Sequence, residues 1–393
     1  MTPRLFATPH RAWFFAGLML MLLNSLYWTL QLLWPGFLPQ AILPPGWVHA
    51  WFMLYGFLPF LMFGFLMTTF PAWMGQPAMT RVAYLGPLAA MSAAWLAIAM
   101  GLFLSKFLAM AGTCLFVGAW AWALWGLTST MINADKSVIH ARVTLVGLVL
   151  GLAGATLAVP LVANNDWRFF YAGTRIAVWG FMLPVFIAVG HRMIPFFTRC
   201  IDPDQPLYRP QWALWLQLLG CLLHLWLELR HFYQWLFLVD LPLMALALLH
   251  TVKWWPRLRQ RNALLLTLHI GHAWLALALA LYSIQSLVFW QTGEFVLGRA
   301  PVHALGMGFA GSMLLAMVTR VSQGHSGRAL VMPPVAQLAF AGIQLACVLR
   351  IANELGGHSM NQAAVLIWLL CLLPWIVRNG LIYLRPRIDG QEG

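Results

Sequence analysis

Apolar runs of roughly twenty residues, broken by short polar or Pro- and Gly-rich stretches, repeat along the whole of this 393-residue chain. A bilayer core takes about twenty apolar residues per helix. That window yields about 12 spans, at approximately 12–33, 48–70, 82–103, 107–130, 140–161, 171–194, 211–228, 232–252, 263–290, 300–319, 334–353 and 361–384. The breaks, such as WPGFLPQAILPPG, FPAWMGQPAMTR and RCIDPDQPLYRP, carry the residues of connecting turns. No break is long enough for a separate soluble domain, so a single membrane domain over 1–393 is expected. No run shows the period-two alternation of a membrane barrel strand. The expected fold class is therefore all-α, a polytopic integral membrane protein built as a helical bundle.

Composition agrees with that pattern. The chain is 62% hydrophobic and 8% charged, with a mean hydropathy of +0.78; a soluble domain carries about a quarter charged residues. The net charge of +13 would point to nucleic acid in a soluble protein. Here the basic residues sit in short loops, so they signal topology and no nucleic-acid partner is expected. Of the 23 Lys and Arg, only Lys106, Arg168, Arg175, Arg230, Arg299 and Arg350 fall on the side opposite the N-terminus. That bias predicts both termini in the cytoplasm and a multi-pass protein of a cytoplasmic membrane. Arg4 and Arg11 precede an apolar run with no small-residue cleavage site, which reads as a retained first span. The five cysteines form no CxxC pair and read as small buried hydrophobes. Trp34, Trp47, Trp73, Trp167, Trp254 and Trp255, near expected span ends, read as interfacial anchors.

Twelve histidines among so few charges stand out, because polar groups inside a membrane are costly. His49 opens span two and His303 opens span ten, both a few residues inside the outer end. Equal depth allows them to ligate one planar metal centre, such as haem iron, from two helices; each can instead hydrogen-bond a backbone carbonyl near a helix end. Room for a macrocycle is expected at Gly56 and Gly64 of span two. Room for the same macrocycle is expected along the stripe of small residues in span ten: Ala300, Ala304, Gly308, Ser312 and Ala316. Arg299 and Arg350, with Arg168 and Arg230, are placed to meet its propionates. A second group faces the cytoplasm: His269 and His272 share a helix face, His191 ends span six, and His325 sits in QGHSGR. Imidazoles there suit copper, iron or zinc, and a proton route or an anion contact by Arg192, Arg320 and Arg328 is the competing reading. His10 is placed in the N-terminal tail. Asp240 lies inside expected span eight, as a structural partner of a helix kinked at Pro242 or as a proton relay. There is no P-loop, HExxH or nucleophile elbow, and no adjacent His-His pair.

Four stretches resemble the NnrS family of bacterial membrane proteins. They are HALGMGFAGSMLLAMVTRVSQGHSGRAL, IPFFTR at 194–199, the span-two region with His49, MLYGF, GFLMTTFPAW and Gly75, and LHIGHAWLALAL around His269. His49, His269, His303, His325, Arg192, Arg320 and Arg328 match the family pattern. The family usually opens span two with H-x-H-E-M, where this chain reads His49, Ala50, Trp51, Phe52, Met53, and His191 replaces an expected glycine. The resemblance implies a protein of the bacterial inner membrane, associated with the nitric oxide response and reported to carry haem and copper. The expectation is a haem b protein that senses, binds or helps detoxify nitric oxide, its iron ligated by His49 and His303. The alternatives are a secondary transporter of a metal or nitrosylated thiol-iron species, and a haem-copper-like oxidoreductase.

Overall fold

The computed structural model describes residues 4–135, 138–256, 262–356 and 359–390. Lys136, Arg257, Arg259 and Arg261, counted above among the basic-side charges, and His358 lie outside the described residues. Among the described residues there is no β-strand, and twelve helices are long and apolar enough to cross a membrane. They are α1 Pro9–Leu33, α2 Pro45–Met74, α3 Arg81–Leu104, α4 Lys106–Ile132, α5 Ile139–Asn164 and α6 Trp167–Ile201. The others are α7 Gln211–Leu229, α8 Phe237–Trp254, α9 Ala263–Thr292, α10 Ala300–Gly324, α11 Pro334–Glu354 and α12 Met360–Leu384. Length and composition make this a multi-pass membrane protein.

Local sequence sets the helix ends. Proline occupies the first turn of α1, α2, α10 and α11, where its missing N–H has no intrahelical partner to lose. Ser105, Asp166 and Asn262 accept backbone N–H groups at the starts of α4, α6 and α9. The Arg168 side chain and N–H hold the Asp166 carboxylate below its usual range. Gly75 and Gly293 close α2 and α9 with φ of +69° and +74°, a backbone region open to glycine.

Several boundaries differ from the sequence expectation. The first helix starts at Pro9, so His10 lies in its first turn, 2% exposed, and not in a tail. At both ends α6 is longer than its hydropathy window. The eighth helix begins at Phe237, because His231 turns the chain with φ +58° and a short 3₁₀ turn, Tyr233–Trp235, follows. Asp240 is consequently in the first turn of α8. Its partner is His224, and not a carbonyl freed by Pro242.

The chain divides into two compact units. One comprises Met1–Val185, His325–Gly327 and Arg378–Gly393. Its core is aromatic: Trp13 lies against Phe60 and Phe63, and Trp120 against Phe63 and Phe181. The indole N–H groups of Trp13 and Trp120 donate to Tyr84 O (2.9 Å) and Leu148 O (3.1 Å), so neither buries an unmet donor. Within it, α3 and α4 form a close hairpin in which Gly101 and Gly112 admit the facing backbone. The other unit comprises Phe186–Gly324 and Arg328–Val377. There Gly308 seats Trp274, Gly271 seats Ser312 and Met313, and Gly220 seats Leu243, which is how membrane helices approach without a hydrophobic drive.

Among the described residues, three helices contain a wide π turn: Phe52–Phe57 in α2, Ile176–Met182 in α6 and Ala304–Gly311 in α10. A π turn breaks the i→i−4 ladder, and in lipid each freed carbonyl needs a partner. Side chains supply one near the start of each: Asn24 Nδ2 donates to Phe52 O (3.0 Å), the Tyr55 hydroxyl to Gly173 O (3.2 Å), and Cys347 Sγ to His303 O (3.7 Å).

Candidate functional site

His303 is the last residue before the π turn of α10. Its Nδ1 lies 2.8 Å from Arg299 O. A carbonyl only accepts, so the proton sits on Nδ1 and the Nε2 lone pair is left to act as a ligand, the usual arrangement of a metal-binding histidine. Arg299 and Arg350 lie close enough for their charges to act on the His303 ring. Arg350 is ion-paired with Glu354, and its Nη1 is buried with no hydrogen-bond partner. One turn beyond His303, a side chain added at Gly306 would meet nothing within 4 Å. A free imidazole nitrogen, an unmet guanidinium N–H and open space over a glycine fit an iron macrocycle with acidic substituents.

In the other unit, His49 lies just before the π turn of α2 and stacks on Trp28, with ring centroids 4.1 Å apart and planes 17° off parallel. Gly46, three residues earlier, also has open space over it. The equivalent position in α6, just before its π turn, is Arg175, whose guanidinium lies over Tyr171 at 4.6 Å.

The room expected elsewhere is filled. Asn24 and Trp95 occupy the space over Gly56, and Trp13 and Phe14 that over Gly64. The small-residue stripe of α10 is taken by protein as well. Gly308 packs on Trp274, Ser312 accepts from Gln344 at 2.8 Å, and Ala300, Ala304 and Ala316 are fully buried. Close approach of a neighbouring helix, not of a ligand, is what those small residues permit. The open face of α10 is the one bearing His303 and Gly306.

The second histidine group is partly brought together. His191 and His272 lie on either side of a residue the spacing did not single out, His250. Its ring centroid is 5.5 Å from that of His191 and 6.5 Å from that of His272. His250 is fully buried and stacked on Trp254 at 4.5 Å, yet neither of its ring nitrogens has a hydrogen-bond partner. His191 Nε2 lies 3.2 Å from Pro210 O, and His272 Nδ1 2.8 Å from Thr251 Oγ1. His269 is nearby but spoken for: Nδ1 lies 2.8 Å from Leu265 O and Nε2 2.7 Å from Trp254 O. Among the described residues, no three His, Cys, Asp or Glu side chains converge closely enough to enclose an ion. Trp254 is 3% exposed and donates to Tyr208 O at 2.7 Å, so it is a wall of this cluster and not an interfacial anchor.

His325 belongs elsewhere. It is in the first unit, its ring 4.4 Å from that of the buried His10, and not beside His269. Burial, with Arg387 and Arg11 beside it, holds its imidazole below the usual histidine range. Arg320 lies over the Phe197 ring at 3.9 Å, and Arg328 Nη1 is buried with no partner. His250, His10 and Trp28 are the contributors that spacing missed. His250 stands four residues before Trp254 on one helix face, but an i,i+4 His–Trp pair is common in apolar helices and marks nothing by itself.

A family model described as NnrS protein matches residues 4–387, nearly the whole chain. No curated protein matches it.

Proposed function

The chain belongs to the NnrS family, and from that premise we propose that it is a haem-b-binding protein of the bacterial cytoplasmic membrane acting in the response to nitric oxide. His303 and His49 are the histidines that would ligate haem iron. The observation that carries this reading is His303, its Nδ1 fixed on Arg299 O, with open space over Gly306 one turn further along the helix. When bound, haem supplies iron able to take nitric oxide or pass an electron. The protein's own part is positional. Arg299 O sets the tautomer of His303, Arg350 and Arg299 would meet the carboxylates of the macrocycle, Glu354 holds Arg350 in place, and Trp28 stacks on His49.

The test is an optical spectrum of the purified protein, ferric and ferrous, with and without nitric oxide. A Soret band that shifts on adding nitric oxide is expected. His303→Ala and His49→Ala should each lose or move it, assigning the two ligands independently. A band unchanged in the double variant, or no band in protein expressed with ample haem, overturns the assignment.

The unmet nitrogens of His250 favour one further component of this reading, copper held by His250 with His191 and His272. Imidazole nitrogens suit that metal, and the His191 and His272 rings lie 5.5 and 6.5 Å from that of His250. Copper bound in proportion to protein and lost in His250→Phe supports it; copper content unchanged in that variant removes it.

A further inference from the structure

The His250 cluster is short of ligands if only its ionisable neighbours count. Among the described residues, no three His, Cys, Asp or Glu side chains converge closely enough to enclose an ion. Thioether sulfur is a further ligand type, and it suits a soft ion such as copper(I). Met313 of α10, 2% exposed, is placed in the second unit to supply it. Its side chain enters between α6 and α9 at two glycines. A Cβ added at Gly271 would stand 3.5 Å from Met313 Sδ, and one added at Gly190 3.9 Å from Met313 Cε. These glycines are the residues immediately before His272 and His191. Phe309, four residues before Met313, has its ring 6.4 Å from that of His272. The thioether therefore comes from α10 to the level at which α6, α8 and α9 present His191, His250 and His272.

Hydrogen bonds decide which lone pairs are left for a metal. The Thr251 hydroxyl donates its one proton to Ala247 O (2.8 Å), so towards His272 it only accepts. His272 Nδ1, 2.8 Å from Thr251 Oγ1, therefore carries the ring proton, and Nε2 keeps its lone pair. His250 offers a lone pair on whichever nitrogen is unprotonated, since neither is hydrogen-bonded. Two imidazole nitrogens and one thioether are enough for copper(I), a d¹⁰ ion stable with three ligands. His191 is not needed among them, and its Nε2 stays with Pro210 O. Packing alone does not call for sulfur at this position. Leucine would fill an apolar gap and lose less rotamer freedom on burial. Methionine instead brings a polarisable sulfur on three rotatable bonds, beside two positions that carry no side chain of their own.

We infer that Met313 Sδ is a ligand of copper at this cluster, beside His250 and His272 Nε2, and that it fits the site to copper(I) over copper(II). The role rests on copper being held by His250. Soft sulfur stabilises the reduced ion more than the oxidised one, so the selectivity follows from the ligand type.

Copper X-ray absorption of the full-length protein, loaded anaerobically with copper(I) alone, tests this. The wild type should show a sulfur scatterer beside imidazole nitrogens. Met313→Leu, a volume-conserving change that cores tolerate, should lose the sulfur. Competition with a copper(I) chelator should show its copper(I) affinity down by about ten-fold or more, the scale on which even outer-shell partners of a metal act. Its copper(II) affinity should hardly change. Selenomethionine-labelled wild type should show selenium where sulfur was, which separates methionine from cysteine and needs no variant to fold. Bound copper with nitrogen neighbours alone overturns the role of Met313 and leaves copper at His250 standing. So does a sulfur scatterer that persists in Met313→Leu, or one that selenium does not replace. Equal losses of copper(I) and copper(II) affinity in Met313→Leu would mark a packing role and end the proposal in the same way. Wild type that binds no copper, or copper indifferent to His250→Phe, removes the copper reading and Met313 with it.

Discussion

His250 shows what a single side chain can say in a membrane interior. A buried polar group without a partner costs about 1–3 kcal/mol, and this ring has two such nitrogens, stacked flat on Trp254. A protein holding it for packing alone would be better served by phenylalanine. His250→Phe is therefore expected to raise the thermal midpoint of metal-free protein, while abolishing any added stability that copper gives the wild type. Melting curves with and without copper read both effects. A midpoint that falls in both conditions would mean that the imidazole is bonded in the folded protein. His269 is the contrast: with both nitrogens on carbonyls, its polarity is spent on tying α9 to the end of α8.

Among elements, the close hairpin of α3 and α4 offers the cleanest measure of how membrane helices associate. A Cβ on Gly101 would run into the backbone N of Ala109, with Ala109 Cα at 2.6 Å, and backbone cannot step aside as a side chain can. Gly101→Ala should destabilise by about 1–3 kcal/mol. Gly118→Ala, on the exposed face of α4 with nothing within 4 Å, should be neutral or slightly stabilising through helix propensity. Reversible unfolding in mixed micelles compares them; equal effects would mean that the interface yields. Elements were also the level most legible in sequence, for a physical reason: hydrocarbon thickness imposes one length on every apolar run. All twelve spans could be read from it, and boundaries slipped where another force acted, as at the 3₁₀ turn before α8. The π turns were not legible, since nothing in FMLYGF or ALGMGFAG distinguishes them from α-helix. The candidate site was legible only in part. His49, His303, Arg299 and Arg350 follow from depth along a helix, which sequence gives, whereas His250, the partner of Asp240 and the place of His325 depend on which helix faces which. The same gap explains Gly56, Gly64 and the α10 stripe: small residues announce a close approach, not what approaches.

At the scale of the whole molecule, one joint ties together segments far apart in sequence. Within the first unit, Arg11 donates to Arg385 O (2.9 Å), Ile388 N–H to Ser326 O (3.1 Å), and His325 lies on His10. The start of α1, the turn after α10 and the tail after α12 close there. His325 is held below its ordinary range by burial and by Arg387 and Arg11, so the folded state resists a proton that the unfolded chain accepts near pH 6.5. The sign follows from linkage: the unfolded state binds more protons, so this contribution is full above about pH 6.5 and is lost as pH falls from there towards the folded value. The thermal midpoint should drop between roughly pH 7 and 5, and His325→Gln should flatten that dependence. An identical slope in the variant would assign the acid sensitivity to other groups.

The three π turns recur at every fourth span: α2, α6 and α10. A π turn is an α-helix with one residue too many, and each residue advances the helix by about 100°. The two halves of each such helix are therefore out of phase, and the half bearing His49, Arg175 or His303 is aimed independently of the half that packs below it. A lineage can thus re-aim the side chain at that position by gaining or dropping one codon in the turn, leaving the packed half of the helix as it was.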